Sequence, residues 1–154
     1  MAYLLDTGVL LRLVNEEDAQ HEVVRLAAEM LASRRDRLVT TTQNVAEFWN
    51  VATRPPTDNG LGISVEIVNE AIRAVIEPIC TVVREHSRHF VELKRLLTIY
   101  QIVGKQVHDA RLVASMVTWK IDRILTLNEK HFKRFEVEGI VVQSPRAVIE
   151  AAEK

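Results

Sequence analysis

Cysteine is nearly absent: Cys80 is the only one in 154 residues. No internal disulfide can form, and a reducing, cytoplasmic setting is the default expectation. Long hydrophobic runs are missing as well. None approaches the ~20 residues that cross a bilayer, so no membrane partner is expected. The amino terminus carries no basic segment, and Asp6 breaks the apolar run that a signal peptide needs. Charge of one sign is also lacking, with 20 Lys+Arg against 21 Asp+Glu and a net charge of -1. Adhesion to nucleic acid through bulk charge is thereby excluded, which leaves local basic patches. There is no internal repeat and no low-complexity segment. Gly60-Leu61-Gly62 lacks the lysine and helix context of a phosphate loop.

What is present is a chain 47% hydrophobic and 27% charged, read as one globular domain over residues 1–154. Tyr3-Leu4-Leu5 has strand length and ends on Asp6, ahead of a helix over 9–14. A second helix is expected over 20–33, with Val23, Leu26, Ala27 and Met30 at helical spacing and Leu31 alongside. Leu38 to Thr41 reads as a strand, after which Thr41 or Thr42 caps a helix ending at Thr53. Residues 54–62, rich in Pro, Gly, Asn and Asp, form an ordered surface loop. Ser64 caps the next helix, whose stripe is Val65, Val68, Ile72 and Val75, and Pro78 ends it before a strand over 79–83. Helices over 87–100 (Phe90, Leu93 and Leu97 on one side) and 107–120 follow. Strands over 123–126 and 140–142 flank a helical turn at 129–132, and Ser144-Pro145 opens a last helix. This alternation predicts an α/β fold with a mainly parallel sheet of about four or five strands, helix exceeding strand.

Three acids stand where a strand ends or a helix begins. Asp6 follows the first strand, Glu47 lies within Val45-Ala46-Glu47-Phe48-Trp49, and Asp109 sits in the first turn of its helix. Asn128 follows the fourth strand. Asp6 and Asp109 could each be a helix cap, and Asn128 a turn residue or cap. Glu47, with apolar neighbours, is harder to explain without a partner, because a buried carboxylate needs a pair or a metal. Hard oxygen ligands without cysteine or a histidine cage suit Mg²⁺ or Mn²⁺ rather than Zn²⁺. His86 and His89, three residues apart, lack two further ligands and read as solvated. Trp49 and Trp119 read as core residues, and Cys80 as a buried small hydrophobe.

At these residues the chain resembles the PIN-domain nucleases. The blocks are Leu4-Leu5-Asp6-Thr7 with Val9-Leu10, Asn44 to Val51, Val107 to Ala114, and Ile124 to Asn128, in the family's order. Ala52-Thr53-Arg54-Pro55 with Asn59 to Gly62 is similar to the subgroup that includes VapC-type toxins. The resemblance implies a three-layer PIN-like fold and a metal-dependent ribonuclease acting on RNA. It also implies a toxin of a type II toxin–antitoxin pair, a homodimer silenced by a cognate antitoxin. Asp6, Glu47 and Asp109 match the metal-ligand acids. Asn128 matches a place where many members carry a fourth Asp, and its loss of charge favours the alternative of a catalytically weak or inactive PIN-like binding module. Thr7 and Thr126 match hydroxyl positions around the metal, and Arg54, Arg111, Lys130 and Lys133 are candidate phosphate contacts. His131, where relatives often have an acid, is placed outside the site. A haloacid-dehalogenase-like phosphatase would need an Asp at position 8, where this chain has Gly8.

Overall fold

In the computed structural model, which describes residues 1–153, β1 (Ala2–Leu5) is buried along its whole length. An all-apolar segment of this kind belongs at the centre of a parallel sheet covered on both faces. The other strands are β2 (Arg37–Thr41), β3 (Thr81–Val83), β4 (Arg123–Leu125) and β5 (Val141–Gln143). Their order is β3-β2-β1-β4-β5, and every neighbouring pair is parallel. Tyr3 and Leu5 pack into the core on one face, and Ala2 and Leu4 into the core on the other. The chain therefore turns outward from β1 in both directions, and the switch lies between β1 and β4. Open α/β sheets place their sites outside the carboxyl ends of the strands at such a switch.

Helices cover both faces. The first core takes residues from α1 (Thr7–Val14), α2 (His21–Ser33), α3 (Thr42–Thr53), α4 (Val65–Ala71) and α9 (Pro145–Glu150). The second core takes residues from α6 (His89–Ile99), α7 (Val107–Trp119) and α8 (Glu129–Phe132). Between α4 and β3 lie a π turn, Ile72–Ile76, and a last short helix, α5 (Glu77–Ile79).

The caps follow the sequence. Thr41 accepts from the backbone of Asn44, whose side chain returns to the backbone of Thr41, closing a capping box on α3. Ser144 caps α9 with Pro145 in its first turn. Loop 54–62 folds back on α3 through Leu61 and Ile63, whose N–H groups donate to the carbonyls of Val51 and Ala52.

Several inner faces differ from the periodicity. In α2 the buried residues are Val24, Ala27, Ala28 and Leu31, while Leu26 is 41% exposed. Small Ala27 and Ala28 let α2 lie close to the core, so the register containing both is the one that packs. In the α4 region Val68 and Ile76 are buried and Ile72 and Val75 pack partly buried against the same core, while Val65 is exposed; the π turn adds a residue and widens the stripe to take in Ile76. Pro78 does not end the helix. It occupies the first turn of α5, where a missing N–H is tolerated, and β3 starts only at Thr81. On α6, Leu96 is buried and Phe90 is 73% exposed. His89 is buried rather than solvated, 3.4 Å from the Ser115 hydroxyl of α7. Cys80 is buried just before β3, and burial pushes its thiol up to about 12, the behaviour of an inert small hydrophobe.

Candidate active site

Asp6 leaves the carboxyl end of β1 at the switch point. Its backbone N–H continues the sheet pairing to the Leu125 carbonyl at 3.1 Å. It is the N-cap of α1, with Oδ1 accepting from the Thr7 N–H at 2.8 Å. Oδ2 accepts from the Thr126 hydroxyl at 2.7 Å, across the switch from the end of β4. Burial raises the Asp6 pKa, the two hydrogen bonds oppose the rise, and the nearby Glu47 and Asp109 charges add to it.

Glu47 reaches the same place from α3. Both its oxygens have donors: Oε2 takes the Thr7 hydroxyl at 2.8 Å, and Oε1 takes Gln43 Nε2 at 2.9 Å. Asn44 donates to the Thr7 hydroxyl at 3.1 Å, so α3 grips Thr7 with two side chains. Gln43 Nε2 also donates to the His108 carbonyl at 3.0 Å, tying α3 to the first turn of α7. That contact sets Asp109 beside Glu47.

Asp109 is the third residue of α7 and not its cap, which is Gln106. Burial again raises its pKa, His131 lowers it, and Glu47 raises it. His131 Nδ1 lies 3.6 Å from Asp109 Oδ2. The structure thus brings His131 into the acid site, from which the sequence reading had left it out.

Asn128 stands at the N-cap of α8, exposed, and its side chain makes no capping bond. Its backbone N–H donates to the Thr126 hydroxyl at 3.1 Å, one link removed from Asp6. Two recesses open beside the acids. One, of about 300 Å³, is lined by residues including Gln43, Glu47, His108 and Arg111. The other, of about 520 Å³, is lined by residues including Lys105, Asp109, Lys130, His131 and Arg134. Arg111 and Lys130 therefore stand at the acids. Arg54 instead closes its own loop through the Asn59 carbonyl at 3.0 Å, and Lys133 lies 3.9 Å from Glu136. Neither lines a recess.

The sequence reading gave no site role to Gln43, Asn44, Lys105 or Arg134 and left His131 outside. Gln43 and Asn44 had a usable signal, their i, i+4 and i, i+3 spacing to Glu47 in α3. Lys105, His131 and Arg134 arrive from other segments with no spacing to Glu47 to mark them.

Among the described residues, no three His, Cys, Asp or Glu side chains are grouped to hold a metal. The donor set still fits a hard divalent ion. Mg²⁺ is commonly bound by one or two carboxylates, with waters and substrate phosphates filling the remaining positions. Asp6 and Asp109 carry raised pKa values partly because carboxylates crowd one another, and a cation relieves that repulsion.

Known structures share this architecture. A chain of VapBC2 from Rickettsia felis, crystallised with a promoter DNA fragment, superposes with a TM-score of 0.70 at 15% identity, covering 94% of this chain and 98% of that one. VapC20 from Mycobacterium tuberculosis, a sarcin–ricin loop cleaving toxin, gives 0.62 at 17% identity, covering 90% and 96%. A chain of FitAcB from Neisseria gonorrhoeae gives 0.64 at 14% identity, covering 94% and 98%. At these identities the likeness speaks for the fold. No curated protein sequence is significantly similar to the chain. The PIN-domain model, however, matches residues 3–138, a stretch that runs from β1 through α8 and contains all three acids. This chain belongs to the PIN-domain family.

Proposed function

We propose that this chain is a ribonuclease that hydrolyses RNA phosphodiester bonds with Mg²⁺ or Mn²⁺, acting as the toxin of a type II toxin–antitoxin pair. The observation that carries the reading is the approach of Asp6, Glu47 and Asp109, from three separate segments, to the same end of the sheet, near enough for their charges to act on one another. Asp6 and Asp109 are the groups to hold the ion. Glu47, fixed by Thr7 and Gln43, completes the negative site on its other side. The ion would supply Lewis acidity to the phosphoryl group and to the attacking water. Thr126 holds the Asp6 carboxylate in one orientation, so little rearrangement is needed when the charged substrate arrives. No side-chain nucleophile is required.

The partner reading extends the same chemistry. An antitoxin that silences the enzyme would cover the acid cleft with an Arg or other basic group, and the active form is a homodimer. The structural likeness to VapC20, a sarcin–ricin loop cleaving toxin, supports an RNA target here.

The test is incubation of purified protein with total RNA, in Mn²⁺ and in EDTA, beside Asp6→Asn and Asp109→Asn. Expected is metal-dependent cutting that both variants lose while keeping the wild-type circular dichroism spectrum. Cutting by Asp109→Asn at the wild-type rate removes Asp109 from the site. Folded, partner-free protein that cuts nothing shifts the reading to a PIN-like binding module.

A further inference from the structure

The two recesses beside the acids differ in charge. On the Glu47 side the cation is Arg111, and Glu85 Oε1 already accepts from it at 2.5 Å. On the Asp109 side stand Lys105, Lys130 and Arg134. Neither lysine has an ion-pair partner among the described residues.

Arg134 is built into its place. Its guanidinium lies over the Phe135 ring at 5.0 Å and donates to Gln106 Oε1 at 3.1 Å. Phe135 is fully buried and meets Tyr100 edge-on at 4.8 Å. Tyr100 donates to Glu138 Oε1 at 2.7 Å, and Arg95 bridges Glu92 and Glu138. This network fixes the segment after α8 against α6, so Arg134 faces the recess with little freedom to lose on binding. No Phe, Tyr or Trp lines either recess, and the groups that face the Asp109 side are chiefly cations. The recognisable chemistry is a row of backbone phosphates.

We propose that Lys105, Lys130 and Arg134 form a phosphate-binding shelf that holds single-stranded RNA on the Asp109 side of the acids, and so fix the side from which the strand enters. The shelf rests on the ribonuclease reading for its substrate, but its binding role is separable from cutting.

The experiment has two readouts on the full-length chain. The first is steady-state cleavage of a fluorogenic single-stranded RNA in Mn²⁺ across a salt series. The second is fluorescence anisotropy of labelled single-stranded RNA without metal. The proteins are wild type, Lys105→Ala, Arg134→Ala, Arg134→Lys, and Lys94→Ala on the outer surface of α6 as a control. Lys105→Ala and Arg134→Ala each raise KM and Kd roughly three- to tenfold with kcat within about twofold, and each makes the salt dependence of log Kd shallower by about 0.7. Arg134→Lys keeps the charge without the fixed guanidinium and recovers only part of the loss, and Lys94→Ala changes neither value. A shelf variant that cuts and binds as wild type, or that matches Lys94→Ala, overturns the shelf. Loss of kcat at unchanged KM and Kd also overturns it. If wild type binds RNA through these residues yet never cuts, the shelf stands and the ribonuclease reading falls.

Discussion

The Thr7 hydroxyl donates to Glu47 Oε2 at 2.8 Å, so the residue that follows the first acid orients the second. The same hydroxyl accepts from Asn44 at 3.1 Å, which makes Thr7 the joint between α1 and α3. Thr7→Val keeps the shape and leaves half-buried Glu47 and fully buried Asn44 each short of a partner. Such a loss costs about 1–3 kcal/mol. Thr7→Val is expected to lower the melting temperature and to reduce RNA cleavage about tenfold, with Thr7→Ser near wild type in both. Thermal unfolding read beside cleavage in Mn²⁺ checks it, and full activity in Thr7→Val would show that Glu47 needs no such orientation.

Asp6 has a consequence for stability. Burial, then Glu47 and Asp109, raise its folded pKa above the unfolded value, against the bonds from Thr126 and Thr7. The folded state therefore binds this proton more tightly than the unfolded chain does. For this group stability is highest below the unfolded pKa of about 3.9 and falls as pH rises through the folded value. Metal-free Asp6→Asn is thus expected to melt higher than wild type at pH 7, with the gap closing near pH 4. Mn²⁺ reverses the order, because it stabilises only the protein that binds it. Melting curves at both pH values, with and without Mn²⁺, test this. A variant that melts lower than wild type at pH 7 without metal refutes it.

The parts of the fold legible in the sequence are those decided locally. The apolar run ending at Asp6, the Thr41 and Ser144 caps and the turn at 129–132 each depend on residues a few positions apart, and each is where it was expected. Inner faces were legible only where one register packs. In α2 two stripes compete, and contact with the core chooses between them. The π turn at 72–76 has no local signature, so Ile76 was not expected in the core, where it joins Val68 with Ile72 and Val75 packed against them. The same division runs through the site. Asp6 and Asp109 are marked by their places at element ends, and Glu47 by its apolar neighbours in the sequence. His131 and Arg134 matter only because the chain after β4 returns to the first turn of α7, a tertiary fact.

Loop 54–62 offers a sharp structural test. Asn59 adopts a left-handed φ of 60°, and a Cβ on Gly60 would lie 2.0 Å from the Arg54 carbonyl oxygen and 2.2 Å from Arg54 Cγ. The clash is with backbone, which a rotamer change cannot relieve. Gly60→Ala is expected to destabilise the chain by about 1–3 kcal/mol while leaving the acids in place. Denaturant unfolding checks the first point, and residual activity at low temperature the second. A wild-type unfolding midpoint would mean that the loop opens at no cost.

The resemblance sets Asn128 where a fourth acid is expected, and its place in the structure bounds what such an acid would do. Its backbone N–H is bound to the Thr126 hydroxyl, which is in turn bound to Asp6, so its side chain starts one link from the first acid. That side chain is exposed, and a charge placed there acts through water. A charge that acts on a bound ion through water contributes roughly 1 kcal/mol, or about fivefold in affinity. Asn128→Asp is therefore expected to lower the Mn²⁺ concentration for half-maximal cleavage by about that factor, with maximal activity changed less. A Mn²⁺ titration of cleavage for the two proteins measures it. An unchanged half-maximal concentration would mean that position 128 faces away from the ion, and that the missing fourth acid does not limit metal binding in this chain.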